Sequence, residues 1–289
     1  MKKPILNDSS NSLKSSGPKV RTTAFLAGLM VLLGGLPAKG AAFFDDFSGP
    51  TLNAVWQASL PTMMQENRDF GPNPATYQGA PGFSFQTLDG SSVLRVTDTK
   101  SALQRRGWST STAFTASSFH YEVRFNSLVQ DPSHSIDSFI EIGLLDPANP
   151  AHYDLVAPFG GMGGLDRQFV TASGTDNAFA ELDYAWQDNT WYKLVLDAAP
   201  GQNIRASLES DTGTELVGQT LNHGASAYGS GFKLIISQAM GEPPQAYPQD
   251  VAIDYALLNV PEPSSAVLGL MGLGWWIVTR RRGNAKRDR

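Results

Sequence analysis

The sequence predicts an all-β protein, a β-sandwich or jelly roll. Three observations carry that prediction. Short segments alternate apolar and polar residues with a period of two; Gly-, Pro- and Asn-containing turns bound them; and residues 43–260 hold no helical stripe of four turns. In SFHYEVRFNSL, Phe119, Tyr121, Val123 and Phe125 fall on one face, and His120, Glu122 and Arg124 on the other. TWYKLVLDA sets Tyr192, Leu194 and Leu196 against Trp191, Lys193 and Val195. NIRASLES does the same with Ile204, Ala206 and Leu208, and GFKLIIS and VAIDYALLNV follow, each bounded by turn residues. No repeat of fixed period is present.

The two ends read differently from this body. Lys2, Lys3, Lys14, Lys19 and Arg21 precede the apolar run TAFLAGLMVLLGGL and the small-residue exit PAKGAA. That order describes a secretory signal helix over residues 1–42, cleaved after Gly40 or after Ala42. At the other end, Ala266–Val278 carries no charge, Trp275 and Trp276 lie at its downstream edge, and Arg280, Arg281 and Arg282 follow. A membrane-crossing helix needs about 20 apolar residues, which this run reaches by including Pro263, Ser264, Ser265 and Thr279. Interfacial tryptophans and cytoplasmic arginines support the span.

Between these ends, residues 43–260 hold 10 Lys+Arg and 24 Asp+Glu, a net charge of −14. Such a surface repels nucleic acid and anionic lipid, whose binding depends on basic side chains, and leaves neutral sugars and cations such as Ca2+ as partners. The chain has no cysteine, so disulfides, thiolate metal sites and catalytic thiols are excluded.

Pro261-Glu262-Pro263, the apolar run and the Arg280–Arg282 cluster together resemble the PEP-CTERM sorting signal of Gram-negative bacteria. The resemblance implies a sorting segment over residues 261–289, transient residence in the inner membrane, processing by an exosortase-type protease, and delivery to the cell surface or extracellular matrix. A second resemblance spans residues 43–260. FFDDFSGPTLNAVWQ, RRGWSTS, HYEVRF, NTWYKLVLDA and VAIDYALLNV, in that order, are similar to the concanavalin A-like lectin/glucanase superfamily. It implies a two-sheet antiparallel β-sandwich, a jelly roll whose first and last strands lie side by side. That neighbourhood would bring Asp45 and Asp46 near Asp254 as a candidate calcium site, since calcium takes 6–8 oxygen ligands.

The superfamily includes retaining glycosidases, which need two carboxyl groups about 5–5.5 Å apart. Its glucanase branch supplies them as Glu-x-Asp-x-x-Glu on one strand. AELDYAW begins with Glu181 and Asp183 but has Trp186 in place of the second glutamate; FIEIGLLD has Glu141 but Gly143 where the aspartate belongs. No Gly-x-Ser-x-Gly elbow or His-Glu-x-x-His signature occurs, and FGGMGGLDRQF lacks the Gly-Lys-Ser/Thr end of a phosphate loop. The sequence therefore predicts no catalytic residues and favours polysaccharide contact, with a glycoside hydrolase or lyase and a purely structural matrix protein as the rivals. Sugar rings stack on aromatics that have polar neighbours. Trp108 beside Arg105 and Arg106, and Tyr184 and Trp186 beside Glu181 and Asp183, are the expected binding residues, with Trp56 and Trp191 read as core anchors.

Overall fold

The computed structural model describes residues 39–58, 76–77, 82–98, 104–128, 139–149, 151–160, 167–176, 178–240 and 249–261. These build sixteen strands: β1 (Lys39–Asp45), β2 (Trp56–Gln57), β3 (Thr76–Tyr77), β4 (Phe83–Leu88), β5 (Ser91–Asp98), β6 (Gln104–Thr110), β7 (Phe119–Ser127) and β8 (Phe139–Leu145) in the first half. The second half adds β9 (Tyr153–Gly160), β10 (Arg167–Ser173), β11 (Ala178–Asp183), β12 (Trp191–Ala198), β13 (Asn203–Ser210), β14 (Glu215–Gly224), β15 (Lys233–Met240) and β16 (Gln249–Pro261). A short 3-10 turn at Ala225–Tyr228 lies between β14 and β15.

The strands form two eight-stranded sheets. The first runs β14-β13-β12-β7-β16-β5-β4, with β1 added on β16; the second runs β11-β10-β9-β8-β15-β6-β2, with β3 added on β6. Pairing is antiparallel except for β3 on β6. The all-β, two-sheet expectation holds. Among the described residues no helix is long and apolar enough to cross a membrane. The expected signal and membrane helices lie outside the described residues, apart from residues 39–42 and 261, which are strand. Residues Lys39–Pro261 make one compact unit.

Alternation assigns the faces. On β7, Phe119, Tyr121, Val123 and Phe125 are all buried, and in register they meet Ala198, Leu196, Leu194 and Tyr192 of β12. From the second sheet, Trp108 of β6, Ile140, Ile142 and Leu144 of β8, Phe169 of β10 and Leu234 and Ile236 of β15 fill the same core. Each fully buried large side chain contributes roughly 1.5–3 kcal/mol of hydrophobic stabilisation. One polar tie crosses the core: Tyr121 OH donates to the Ile235 carbonyl at 2.9 Å, linking β7 to β15. The residues left over by this alternation point away from the core, and they differ sharply between the two sheets.

Candidate functional site

The outer face of the first sheet carries a row of charged and aromatic side chains. Glu122 lies at its centre, flanked in register by Val195 of β12 and Leu257 of β16. Two residues along β7 in either direction, His120 lies between Asp197 and Asn259, and Arg124 between Lys193 and Tyr255. Asn126 follows, between Trp191 and Ala252. Antiparallel pairing thus places three strands' outward residues into one patch.

Hydrogen bonds knit the patch. His120 Nε2 donates to Glu122 Oε2 at 3.0 Å, and its Nδ1 to Asp197 Oδ1 at 3.1 Å. Both nitrogens donate, so the ring is an imidazolium. Burial works against that charge, but the bonds to Asp197 and Glu122 outweigh it and push His120 up to about 9. Tyr255 OH donates to Glu122 Oε1 at 2.7 Å, and Lys193 Nζ lies 3.6 Å from the same oxygen. Burial alone would raise Glu122; the His120 and Tyr255 hydrogen bonds, with the Lys193 charge, hold it down at about 2. Burial, then the Glu122 bond, pushes the Tyr255 phenol up.

Arg124 is clamped by two carboxylates. Its Nε and Nη2 reach Asp211 at 2.6 and 3.0 Å, and its Nη1 reaches Asp254 Oδ2 at 2.7 Å. Its guanidinium lies 4.2 Å over the Trp191 ring, whose Nε1 donates to Asp89 Oδ2 at 3.0 Å. The result is a flat stacked pair beside a ring of acceptors, the mixture that engages both the CH face and the hydroxyls of a sugar. Phe44, 53% exposed, packs on Tyr255 at the patch margin.

The outer side of the second sheet is different. Leu145, Leu155 and Ile235 form an apolar cluster with Tyr153 and Ala172. Glu141 lies on the same face of β8 as Leu145, buried, with Ser237 Oγ donating to its Oε2 at 2.7 Å. The outward positions of β8, β9 and β15 carry no second carboxylate among the described residues. Glu181, on edge strand β11, is three strand spacings from β8, roughly 14 Å at ~4.8 Å each.

The expected binding residues are not gathered into one site. Trp108 and Trp186 are 3% and 4% exposed and belong to the core, so neither offers a free ring face, which corrects the sequence expectation. The physical reason is alternation: on β6, Gly107 and Ser109 take the outward positions and Trp108 faces inward against Ile236. Trp186 lies under the Arg167 guanidinium at 4.2 Å, with its carbonyl accepting from Arg167 Nη1 at 2.6 Å. Tyr184 is half-buried against the core, while Glu181 and Asp183 point outward from β11. β6 lies five places from β11 along the second sheet's path.

The expected calcium residues do lie on or beside the paired strands β1 and β16, and each carboxylate is taken up by donors of the protein itself. Asp45 accepts from Phe47 N and Trp56 Nε1, Asp46 from Ser48 N, and Asp254 from Arg124. Among the described residues no group of three acidic or histidine side chains is placed to hold a metal ion. Of the sorting motif, Pro261 ends β16 and pairs with Lys39; Glu262, Pro263 and Arg280–Arg282 lie outside the described residues.

Trp191 was expected in the core, and Trp56 is there, buried, but Trp191 is half-exposed in the outer patch. The signal was present in the sequence. Trp191 shares its face with Lys193, and His120, Glu122 and Arg124 share theirs on β7.

Residues 90–254 match the family model described as SO2946-like, C-terminal domain. No curated protein matches the chain. Among solved structures, a non-specific endo-β-1,3(4)-glucanase from family GH16, crystallised with 1,3-β-D-cellotriosyl-glucose, aligns over 78% of this chain and 95% of its own, with a TM-score of 0.53 and 12% identity. Lectin II from Ulex europaeus aligns over 77% of this chain and 100% of its own, with a TM-score of 0.52 and 9% identity. The CBM2 module of the evolved Dit of Lactobacillus casei BL23 phage J-1 aligns over 76% and 94%, with a TM-score of 0.53 and 11% identity. At these identities the likeness is one of fold, and it agrees with the two-sheet jelly roll.

Proposed function

We propose a function for a chain that belongs to the SO2946-like C-terminal domain family: it is an exported protein of the cell surface or extracellular matrix whose jelly roll binds polysaccharide without cleaving it. The observation that carries this reading is the Trp191–Arg124 stack beside Glu122, Tyr255 and Asn126 on the open face of the first sheet. The fold is shared with a glucanase and a lectin, which agrees with a glycan ligand.

Two features support a non-catalytic reading. Glu141 and Glu181 stand far beyond the 5–5.5 Å of a retaining pair and the 6.5–9.5 Å of an inverting one. Glu122, held down at about 2, keeps its charge at neutral pH and has no proton to give a leaving group.

The test is titration of the exported protein with a panel of soluble polysaccharides. Trp191→Ala is expected to weaken binding about tenfold or more, ~1.4 kcal/mol, while the fold persists because the ring lies on the outer face. Undiminished binding by that variant moves the site off this face. New reducing ends or unsaturated products, abolished by Glu141→Gln or Glu181→Gln, would replace the binding reading with a hydrolase or lyase. For export, the PEP-CTERM-like segment is read as the address of an exosortase-type protease. Alanines in place of Pro261, Glu262 and Pro263 are expected to retain the protein in the inner membrane, whereas unaltered release discards the sorting reading.

A further inference from the structure

The last strand of a sheet leaves a row of backbone donors and acceptors unpaired, and folded proteins blunt such edges with charge, proline, bulges or brevity. Among the described residues the edges of this sandwich follow that rule, with one exception. β14 carries Glu215 and twice breaks register against β13. β11 exposes Glu181 and Asp183. β1 carries Lys39 and Asp45 and shifts register against β16. β2 and β3 are two residues long. The exception is β4, FSFQTL, which ends the path of the first sheet. It pairs with β5 over all 6 residues without a bulge and holds no charge and no proline.

This edge is also well ordered. Asp89 and Gly90, at φ 53° and 87°, make the two-residue hairpin turn that fixes β4 on β5. Thr97 N donates to the Gly82 carbonyl at 2.9 Å. Alternation from that pair turns the backbone groups of Ser84, Gln86 and Leu88 toward β5, and those of Phe83, Phe85 and Thr87 toward the free edge. Phe83 is 40% exposed yet held in place, its ring centroid 5.9 Å from that of Phe85 and 5.6 Å from that of Trp108. On the other face Gln86 accepts from Arg95 Nη1 at 2.9 Å and donates to Ser84 Oγ at 3.0 Å.

We propose that this edge takes a second copy of the same chain: β4 pairs antiparallel with the partner's β4 about a two-fold axis at Phe85. Phe85 then lies opposite the partner's Phe85, Phe83 opposite the partner's Thr87, and Ser84 opposite the partner's Gln86. Every backbone group that β4 turns outward finds its complement, apolar side chains meet on one face, and hydroxyl meets amide on the other. A slip of two residues leaves Phe83 or Thr87 unmatched, and a slip of one sets the two faces against each other. Residues 43–260 carry a net charge of −14, so an edge that presents acids repels its own copy; β4 presents none. A two-fold contact uses both edges and stops at two copies, whereas a head-to-tail one would go on to fibres. Residues paired across an antiparallel ladder point to the same side, so both Trp191 patches look the same way.

The contact is small, 6 residues a side against the roughly 20–30 of a stable interface, so the dimer is expected to be reversible. Sedimentation of the exported protein from about 1 to 500 µM should show monomer passing to dimer and no further. Thr87→Pro removes a donor on the free edge and no bond to β5, a position where an edge strand accepts proline. It should weaken association at least about tenfold. Thr87→Asp keeps the backbone donor and sets a carboxylate opposite the partner's Phe83, and should do the same. Circular dichroism melts check that both variants stay folded. Amide hydrogen exchange of the wild type gives a reading that needs no variant: Phe83, Phe85 and Thr87 should exchange more slowly at about 500 µM than at about 5 µM. A wild type that remains monomeric up to about 500 µM, or whose mass climbs past the dimer, overturns the proposal. So does a folded variant that dimerises at wild-type strength, or exchange at these three amides that ignores concentration.

Discussion

Asp45 is buried, and both of its oxygens have donors: Oδ1 takes the Phe47 amide at 3.0 Å, and Oδ2 takes Trp56 Nε1 at 2.9 Å. The first bond closes a tight turn in which Phe47 adopts φ 49°, a left-handed conformation uncommon for a bulky residue, with its ring buried in the core. Asp45→Ala leaves two buried donors unpaired, and each such loss costs about 1–3 kcal/mol. In a body of this size each kcal/mol lowers Tm by about 2–4 °C, so a thermal melt several degrees below wild type is expected. A chelator should leave the wild-type melt where it is, because Asp45 and Asp254 already hold protein donors; a chelator-induced drop would support the calcium reading. The residue scale is also where the sequence misled most. Trp108 adjoins Arg105 and Arg106 in sequence, but adjacent strand residues face opposite ways, so a charged neighbour one position off says nothing about shared surface. Trp191 was legible by the same rule, since residues two apart share a face and its partner there is Lys193.

At the scale of elements, His223 fastens β14 to the second sheet. Its Nδ1 meets Asp176 Oδ2 at 2.5 Å and its Nε2 meets Asp154 Oδ2 at 2.8 Å, while Tyr228 OH donates to the same Asp154 oxygen at 2.5 Å. Asp154 belongs to β9 and Asp176 follows β10, so three elements meet at one ring. Burial opposes the imidazolium, but Asp154 and Asp176 outweigh it and push His223 up to about 9. A histidine raised above its ordinary 6.5 adds stability that is complete below that value and disappears as pH rises through about 9. His223→Gln is therefore expected to be less stable than wild type at about pH 6, with the gap closing by about pH 10. His120, raised in the same direction, contributes equally to both proteins, so their difference in denaturant melts isolates His223. A gap that stays constant across this range refutes the ion-pair account. Nothing in the sequence marks this clamp, because its members lie 47 and 69 residues apart and no motif joins them. The strands themselves were legible wherever alternation was clean, as in β7, β12 and β13. β14 was not, since its half-buried edge position exposes both faces and blurs the period.

For the whole molecule, β16 is the strand that gathers the first sheet, pairing with β7, β5 and β1. Resemblance to the concanavalin A-like superfamily implied that the first and last strands neighbour each other, and they do: Lys39 pairs with Pro261, Gly40 with Val260 and Ala41 with Asn259, before a shift sets Phe43 against Leu258. The start of β1 was not legible, because Ala38-Lys39-Gly40-Ala41-Ala42 is also what a signal-peptide exit looks like; small residues suit a protease and an edge strand equally. A body trimmed to begin at Phe43 loses the three outer pairs and keeps those of Phe43, Phe44 and Asp45. Each lost hydrogen bond is worth about 0.5–1.5 kcal/mol net, and the ordering of each residue costs about 1–2 kcal/mol of backbone entropy in return. Over three outer pairs and four residues the entropy matches or exceeds the hydrogen bonding, so trimming should not lower Tm. A chain beginning at Phe43 should therefore melt no lower than one beginning at Lys39, as cleavage after Ala42 would require. A trimmed chain that melts several degrees lower would mean that residues 39–42 hold β16 by more than their backbone pairs.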